Sequence, residues 1–353
     1  MTKLIYICHI INGENDGGMA RNRAFYNYFS NRNSEIYNLY NKNIGIRILN
    51  LAIFIFHFFY FKDKKILIHL GTIFTIFPKA ILRTKIGLYC FYQFFKRLSK
   101  KNILYLEVND LPYEQAIDLN LKVENFYLKL QDVIFDKNLS VSYVFASHEM
   151  AKYILKKYSI NSSKSQVIIN GAPKMEKRRD NNKILKSYQS FDLKYIYVGT
   201  LNEGRGIDEL IILFQNLNSY LFLVGVGGEW LNERLKNINN IIYLGSFDEQ
   251  QAMEITSECD FGIMHYDSSK FYYNLCYPTK NSFYISAGIN VVSTKLVESQ
   301  NVISKYNIFL FEDFNKWKKI IDNPLQYFED LDEINEYIKG QFYWNNILEN
   351  LKI

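Results

Sequence analysis

Cysteine is scarce in this sequence and follows no metal-binding or disulfide pattern. The four cysteines among the 353 residues, Cys8, Cys90, Cys259 and Cys276, form no CxxC pair. We therefore expect neither a disulfide framework nor a metal site, since scattered thiols suit a reducing compartment. The chain also begins on a short strand-like run, without the longer apolar core of a signal peptide, which predicts a cytoplasmic protein.

Long hydrophobic runs are missing as well. The longest apolar run without a charged residue, Leu51 to Phe61, would extend about 16 Å as a helix, against about 30 Å for a bilayer core. It is too short to cross a membrane alone. The composition, 48% hydrophobic and 22% charged, is typical of a globular protein, and 353 residues exceed what one core usually serves, which predicts two domains.

Acidic residues are absent from Lys64 to Leu106, although this stretch has nine lysines and arginines. Phe91, Tyr92, Phe94 and Phe95 lie among these cations. A basic and aromatic surface of this kind can rest on anionic lipid. The same pattern is typical of a helix with a buried aromatic face and a solvated basic face, and the sequence does not separate the two. Nucleic acid is not an expected partner, because no nucleic-acid-binding motif accompanies the cations.

Strand-like and helix-like segments alternate along the chain, which is typical of parallel sheets covered by helices. We predict domains at residues 1–172 and 191–335, a polar linker at 173–190, and a C-terminal helix at 336–353 that packs back toward the first domain. The predicted strands are 3–10, 65–70, 102–108, 142–146 and 166–169, followed by 193–198, 220–224, 241–244, 261–265 and 290–293.

The most informative segment is Tyr197 to Gly206, which reads YVGTLNEGRG. It predicts a strand, a glycine turn with one arginine, and the start of a helix. A helix N-terminus offers backbone N–H groups and a positive dipole end, and Arg205 adds a charge that can hold a phosphoryl oxygen. The turn therefore indicates a phosphate site, although the same residues also suit a plain turn with a solvated arginine.

The order of the motifs along the chain resembles that of the bacterial nucleotide-sugar glycosyltransferases of the GT-B fold. Within that family, the Pro-x-Lys-x-Ser and Tyr-Leu-Gly-Ser-Phe patterns are most similar to the galactofuranosyl- and glucosyltransferase group of surface glycan assembly. The segments that carry the resemblance are 16–21, 167–171, 197–206, 243–247, 259–263 and 277–292.

This resemblance implies an α/β protein with two Rossmann-like domains facing across a cleft. It implies a transferase that moves a sugar from a nucleotide diphosphate, expected to be a UDP-sugar, to a hydroxyl of a growing lipid-linked polysaccharide of the O-antigen or capsule type. It further implies that Arg205 and Lys280 contact the donor diphosphate, so that no metal or other cofactor is required. The expected location is the cytoplasm at the inner face of the membrane, and a homo-oligomer is left open.

The donor-binding residues implied by the resemblance lie mainly in the second domain. The first domain contributes a glycine pair after its first strand and an arginine one helical turn later. The full set is Gly17, Gly18, Arg21, Thr200, Arg205, Ser246, Phe247, Tyr273, Asn274, Lys280, Asn281 and Ser282.

An inverting reaction needs a general base, because the acceptor hydroxyl loses its proton as it attacks. Asp110 is our first candidate, since it follows a predicted strand where cleft residues gather. Glu107, Asp16 and His148 compete with it, and for each of them a cap or surface role is the alternative.

The sequence also departs from the commonest pattern of the family. Leu275 and Phe283 stand where many relatives have two glutamates, and Thr200 replaces the first arginine of the phosphate turn. A non-catalytic GT-B subunit that stabilises a partner transferase is therefore the alternative function, and a nucleotide-sugar epimerase is a third. The Asp-x-Asp of Asp330 and Asp332 is interpreted as a solvated helix face rather than a metal site.

Overall fold

A computed structural model of the chain describes residues 3–11, 17–176, 184–188, 193–202, 205–328 and 334–353. The chain divides into two compact units. Unit 1 is Met1–Ile169 with Leu348–Ile353, and unit 2 is Asn170–Ile347. Half of the predicted linker (177–183 and 189–190), together with Asp16, Asp330 and Asp332, lies outside the described residues.

Unit 1 is built on a parallel sheet of six strands in the order β2-β1-β3-β4-β5-β6. The strands are β1 Leu4–Cys8, β2 Glu35–Asn38, β3 Lys65–His69, β4 Ile103–Val108, β5 Val141–Phe145 and β6 Ser165–Val167. The helices are α1 Gly17–Ser30, α2 Ile44–Phe58, α3 Ile73–Ile76, α4 Lys79–Leu82, α5 Lys85–Lys101, α6 Pro112–Asp118, α7 Asn125–Ile134 and α8 His148–Lys157.

Unit 2 has a second parallel sheet of six strands, in the order β12-β11-β10-β7-β8-β9. The strands are β7 Leu193–Val198, β8 Ser219–Val224, β9 Ile241–Gly245, β10 Phe261–Met264, β11 Asn290–Ser293 and β12 Phe309–Phe311. The helices are α9 Ile207–Phe214, α10 Leu231–Arg234, α11 Glu249–Thr256, α12 Phe271–Leu275, α13 Thr279–Ala287, α14 Val297–Ile303, α15 Trp317–Asp322, α16 Glu336–Gln341 and α17 Trp344–Glu349, whose last residues belong to unit 1.

The central strands are buried on both faces, which explains their continuous apolar sequences. In β8, for example, all six residues of SYLFLV are buried. Each of the ten predicted strands overlaps a strand of the structure, whereas β2 and β12 are not predicted. Both are short edge strands: all four residues of β2 are half-buried, and β12 has only three residues, so neither has an extended apolar run.

The order of the second sheet reverses between β7 and β10, which pair directly with each other. Beyond β7 the strands continue through β8 to β9, whereas beyond β10 they continue through β11 to β12. At such a reversal the connections leave the two strands in opposite directions, and the gap beyond their carboxyl ends is where ligands of open α/β sheets bind. The candidate site therefore lies at the carboxyl ends of β7 and β10 in unit 2.

Two phenylalanines of α5 belong to the interior of unit 1, whereas Tyr89 of the same helix is exposed. Phe91 and Phe95 are buried, whereas Arg97, Lys100 and Lys101 are exposed on the same helix. The stretch from Lys64 to Leu106 thus includes a helix with a buried aromatic face and a solvated basic face, the second of the two arrangements considered from sequence. Among the residues that the structure describes, no helix is both long and apolar enough to span a bilayer.

Two glycines with positive φ, Gly225 after β8 and Gly245 at the end of β9, allow the cost of backbone strain to be compared with and without a steric clash. Gly225 has φ +147°, and a Cβ there would lie 1.7 Å from the carbonyl oxygen of Gly199, whereas Gly245 has φ +90° and open space around its Cβ position. Strain of this kind costs about 1–3 kcal/mol. We expect Gly245→Ala to lose about that much stability, and Gly225→Ala to lose more because backbone must also move.

Urea denaturation followed by tryptophan fluorescence measures both variants, since Trp230, Trp317 and Trp344 are the three tryptophans of the sequence and all lie in unit 2. Equal losses for the two variants would contradict the close approach of Gly225 to Gly199.

Candidate functional site

The carboxyl edge of the second sheet is extended by glycine turns. Gly199 follows β7, Gly225 follows β8, and Gly245 ends β9. The N–H of Gly199 donates to the carbonyl of Val224, and the N–H of Gly225 donates to the carbonyl of Gly245, each at 2.9 Å. All three glycines have positive φ, which other residues rarely adopt, so glycine brings these three turns into register.

Lys280 lies across the first of these turns. It is in the first turn of α13, directly after Pro278 and Thr279, and a Cβ on Gly199 would lie 2.6 Å from its Cε. The ammonium lies 3.6 Å from the ring centroid of Tyr197 and 5.4 Å from that of Tyr266. The absence of a side chain at Gly199 is therefore what allows Lys280 to reach the phosphate turn.

The charge of Lys280 is not neutralised by any carboxylate that the structure describes. Burial lowers the pKa of Lys280 well below its usual range, and the nearby Arg205 guanidinium lowers it further. Arg205 is exposed at the end of the turn and has no ion pair with a described residue either. The first turn of α13 also lacks acidic residues. Two cations and a helix N-terminus thus meet at one place, an arrangement that suits an anion.

His265 lies at the same edge, directly after β10. A Cβ on Gly206, the residue before α9, would lie 2.6 Å from its Cδ2, and its ring stacks on Phe314 at 4.3 Å. Its Nδ1 is buried without a hydrogen-bond partner among the described residues, and burial lowers its pKa. Sequence reasoning gave His265 no role, although a polar residue at the carboxyl end of a central strand was the available signal.

Asn281 and Ser282, which follow Lys280 in the chain, face the interior. Asn281 Nδ2 donates to Ser299 Oγ at 2.9 Å, and Ser282 Oγ donates to the carbonyl of Asn170 at 2.6 Å. Both residues are fully buried. Their contacts fix the first turn of α13 against its neighbours and so orient Lys280.

Asn274 and Tyr273 organise the loop after β10. Asn274 Nδ2 donates to the carbonyls of Ser268 and Lys270, and its Oδ1 accepts from the N–H of Val297 at 3.1 Å. The Tyr273 ring lies edge-on to that of Tyr266, which stands beside Lys280.

Three further predicted residues lie in the turns themselves. Thr200 is half-buried beside Gly199, and its carbonyl accepts a long, 3.5 Å hydrogen bond from the Tyr197 hydroxyl. Ser246 is exposed and Phe247 is half-buried just after β9. The structure thus places Thr200, Arg205, Lys280, Ser246 and Phe247 in the segments that continue the carboxyl edge of this sheet.

Leu275 and Phe283, which occupy the glutamate positions of many relatives, are apolar packing residues. Leu275 is buried, and Phe283 packs on the cluster of Ala172, Met253 and Ala287. No carboxylate could replace either one without losing these contacts.

Arg21 and Glu107 form a buried ion pair inside unit 1. Arg21 Nε donates to Glu107 Oε1 at 2.5 Å and Nη1 donates to the carbonyl of Ile168 at 2.8 Å. Each of the two side chains is 1% exposed. His69 Nε2 lies 3.2 Å from Glu107 Oε2, and burial lowers the pKa of His69. The pair joins α1 to β4, so the structure gives both residues a part in the interior of the unit.

The other predicted residues of unit 1 lie near the carboxyl ends of its strands. Gly17 and Gly18 are the first two residues of α1. Asp110 lies two residues after β4, half-buried, and accepts from Asn109 Nδ2 at 3.0 Å. His148 is exposed at the start of α8. Within the described ranges, no group of three or more histidines, cysteines and carboxylates is arranged to hold a metal.

The buried pair generates a stability prediction. Glu107→Gln leaves the Arg21 charge buried without a carboxylate, and breaking a buried pair in this way costs about 3–5 kcal/mol. Glu124→Gln is the matched control, because Glu124 and Arg83 form a two-bond pair at the surface of the same unit. Urea denaturation followed by circular dichroism should show a large loss for Glu107→Gln and a small one for the control. Similar losses for both would contradict the structural role of the pair.

Comparisons with known proteins support the fold. No protein-family model matches the sequence, and no curated protein matches it. HepE of Anabaena, solved in complex with UDP and glucose, is similar with a TM-score of 0.64 and 11% identity, over 98% of this chain and 97% of that chain. The sucrose-phosphate synthase of Thermosynechococcus elongatus gives 0.61 and 12%, over 98% and 96%. WaaG, a glycosyltransferase involved in lipopolysaccharide biosynthesis, gives 0.58 and 11%, over 98% and 94%.

These solved structures are similar over nearly the whole length of both chains, at identities that bear on fold alone. Their likeness agrees with the two parallel six-stranded sheets and flanking helices described above. The predicted fold class is confirmed: the chain has the GT-B fold, with two Rossmann-like domains.

Proposed function

We propose that this protein is a glycosyltransferase that moves a sugar from a UDP-sugar to a hydroxyl of a growing glycan. One observation carries the proposal. Lys280 and Arg205 come together at the carboxyl edge of the second sheet, and no described carboxylate neutralises either of them. A nucleoside diphosphate supplies the missing negative charge. The neighbour HepE was solved with UDP and with UDP-glucose, which supports uridine as the nucleoside.

The chemistry follows from where charge develops. When the bond between the sugar C1 and the diphosphate oxygen breaks, its electron pair stays on that oxygen, and the acceptor oxygen forms the new bond to C1. The Lys280 ammonium and the Arg205 guanidinium, with the N-terminus of α13, would stabilise the growing charge of the leaving group. We propose that these groups suffice without a divalent metal.

The acceptor proton must leave as the new bond forms. We propose Asp110 as the group that takes it, because it is half-buried just beyond the carboxyl end of β4. Glu107 is less suited, since its carboxylate is committed to Arg21 in the interior. A general base must reach the hydroxyl within hydrogen-bonding distance.

The acceptor that we propose is a lipid-linked surface polysaccharide of the O-antigen or capsule type, at the inner face of the membrane. The neighbour WaaG, a glycosyltransferase of lipopolysaccharide biosynthesis, supports this class. The finer resemblance to the galactofuranosyl- and glucosyltransferase group is part of the same proposal.

A second candidate is a non-catalytic subunit that stabilises a partner transferase. It is favoured by the apolar side chains of Leu275 and Phe283, which fill the positions of two glutamates in the family pattern. A transferase should bind UDP and release it from a UDP-sugar, whereas a non-catalytic subunit should do neither.

Calorimetric titration with UDP in the presence of EDTA tests the donor site. A charged hydrogen bond contributes about 1.5–3 kcal/mol, so Lys280→Ala and Arg205→Ala should each weaken binding by about 10- to 150-fold. Lys236→Ala is the control, because Lys236 is an exposed lysine of the same unit in the loop that leads to the amino end of β9. It should bind UDP as the unmodified protein does.

Three results decide between the candidates. Loss of binding in both site variants and not in the control, together with slow UDP release from a UDP-sugar, supports the transferase. Absence of UDP binding by the unmodified protein contradicts it and favours the subunit. Binding that appears only when magnesium is added contradicts metal independence alone.

The lowered pKa of Lys280 generates a pH prediction. A bound diphosphate favours the ammonium form, so the pKa of Lys280 is higher in the complex than in the free protein. Affinity for UDP is then greatest below the free-state pKa of Lys280 and falls as pH rises from that pKa toward the higher pKa in the complex. Lys280→Arg stays charged throughout and should flatten this fall. An equally steep fall in both proteins would contradict the assignment to Lys280.

A further inference from the structure

Helix α2 of unit 1 is apolar on its outward face as well as its inward one. Phe54 and Phe58 are buried against the rest of the unit. On the opposite side Ile48, Leu49 and Phe56 are 63%, 56% and 61% exposed. The only side chains of α2 that carry a polar group are those of Arg47, Asn50 and His57, and the first two are half-buried. We call the exposed apolar side chains of this helix, together with Phe59 and Tyr60, the α2 face.

A helix that is apolar all round is normally enclosed by protein or by lipid. The α2 face is open in this chain, and its side chains are contiguous along the helix, whereas single exposed apolar residues are common and need no explanation. Its 15 residues extend about 22 Å, which is shorter than a bilayer core of about 30 Å. The helix can therefore lie along a membrane surface but not cross it.

Cations border the α2 face at both of its ends. At the C-terminal end the Arg97 guanidinium lies 5.6 Å from the ring centroid of Phe59, and Lys100 and Lys101 are exposed in the last turn of α5. The Asp63 N–H donates to the carbonyl of Lys101, which brings the loop with exposed Lys62 to the same place. Exposed Lys42 precedes the N-terminal end.

A second copy of the chain and an anionic membrane are the two candidate partners of the α2 face, and charge distinguishes between them. Residues 36–106 include twelve lysines and arginines, and Asp63 is their one acidic residue. A second copy of the chain docked about a two-fold axis would bring this basic border against itself. An anionic bilayer instead offers hydrocarbon to the isoleucines and phenylalanines and phosphate groups to the surrounding cations.

We propose that the α2 face inserts into the surface of an anionic membrane, with α2 parallel to the bilayer plane and the cations of α5 and the 61–64 loop at the level of the lipid phosphates. This places the main lipid contact on α2, since Phe91 and Phe95 of α5 are buried. The inference adds a contact surface to the membrane location proposed above. Its test concerns only unit 1 and needs neither donor nor acceptor, so it can fail while the proposed sugar transfer stands.

Vesicle flotation tests the proposal with the full chain and no nucleotide. The probe is vesicles of phosphatidylcholine with about one quarter phosphatidylglycerol. We expect the unmodified protein to float with them, and the triple variant Ile48→Gln, Leu49→Gln, Phe56→Gln to bind at least about tenfold more weakly. Glutamine is a good helix former, so this variant keeps its helical circular dichroism. The control Ile212→Gln, Leu325→Gln, Tyr337→Gln changes equally exposed apolar residues of unit 2 and should float normally.

The charged border is tested separately. Arg97→Gln, Lys100→Gln, Lys101→Gln should weaken binding to the anionic vesicles and reduce its dependence on salt. Failure of the unmodified protein to float overturns the proposal, as does normal flotation of the α2 triple variant. Gel filtration that shows a dimer lost in that triple variant, with no vesicle binding, would assign the α2 face to a second copy instead.

Discussion

The close packing of glycine backbone against one lysine side chain governs the binding edge of the second unit. A Cβ on Gly225 would collide with the carbonyl of Gly199, and a Cβ on Gly199 would collide with Lys280. The turn after β7 and the turn after β8 therefore pack backbone against backbone, and the Lys280 side chain fills the space beside Gly199. Asn281 and Ser282 hold that helix turn from its buried side. These contacts hold the backbone from which the Lys280 side chain extends.

The cationic side chains of Arg21 in unit 1 and Lys280 in unit 2 are surrounded in different ways, since of the two only Arg21 pairs with a described carboxylate. In unit 1 the Arg21 charge is matched by the Glu107 carboxylate, so the pair is complete within the protein. In unit 2 the Lys280 charge is faced by the rings of Tyr197 and Tyr266, which attract a cation without cancelling its charge. Arg205 adds a second positive charge nearby. No described carboxylate pairs with Lys280 or Arg205, and this is the observation behind the proposed donor diphosphate site.

The sequence predicted the general architecture because buried parallel strands have continuous apolar runs and the motifs follow a fixed order. It missed β2 and β12, whose few residues are stabilised by pairing at a sheet edge rather than by their own pattern. It could not tell that Asn281 faces the interior while Lys280 faces the glycine turn. Neighbouring helix positions differ by about 100°, and the motif does not say which of its side chains points inward. Nor could it show that α2 is exposed, because an apolar helix in sequence is equally typical of a buried one.

The central claim is that the anion-binding position of this protein is the carboxyl edge of the second sheet, at Lys280. A crystal structure of the chain with UDP bound tests it most directly. We expect a phosphate oxygen within hydrogen-bonding distance of Lys280 Nζ, beside the turn that includes Gly199 and Arg205. A nucleotide bound elsewhere, with the Lys280 ammonium still resting on the Tyr197 ring and no phosphate near it, would contradict the claim.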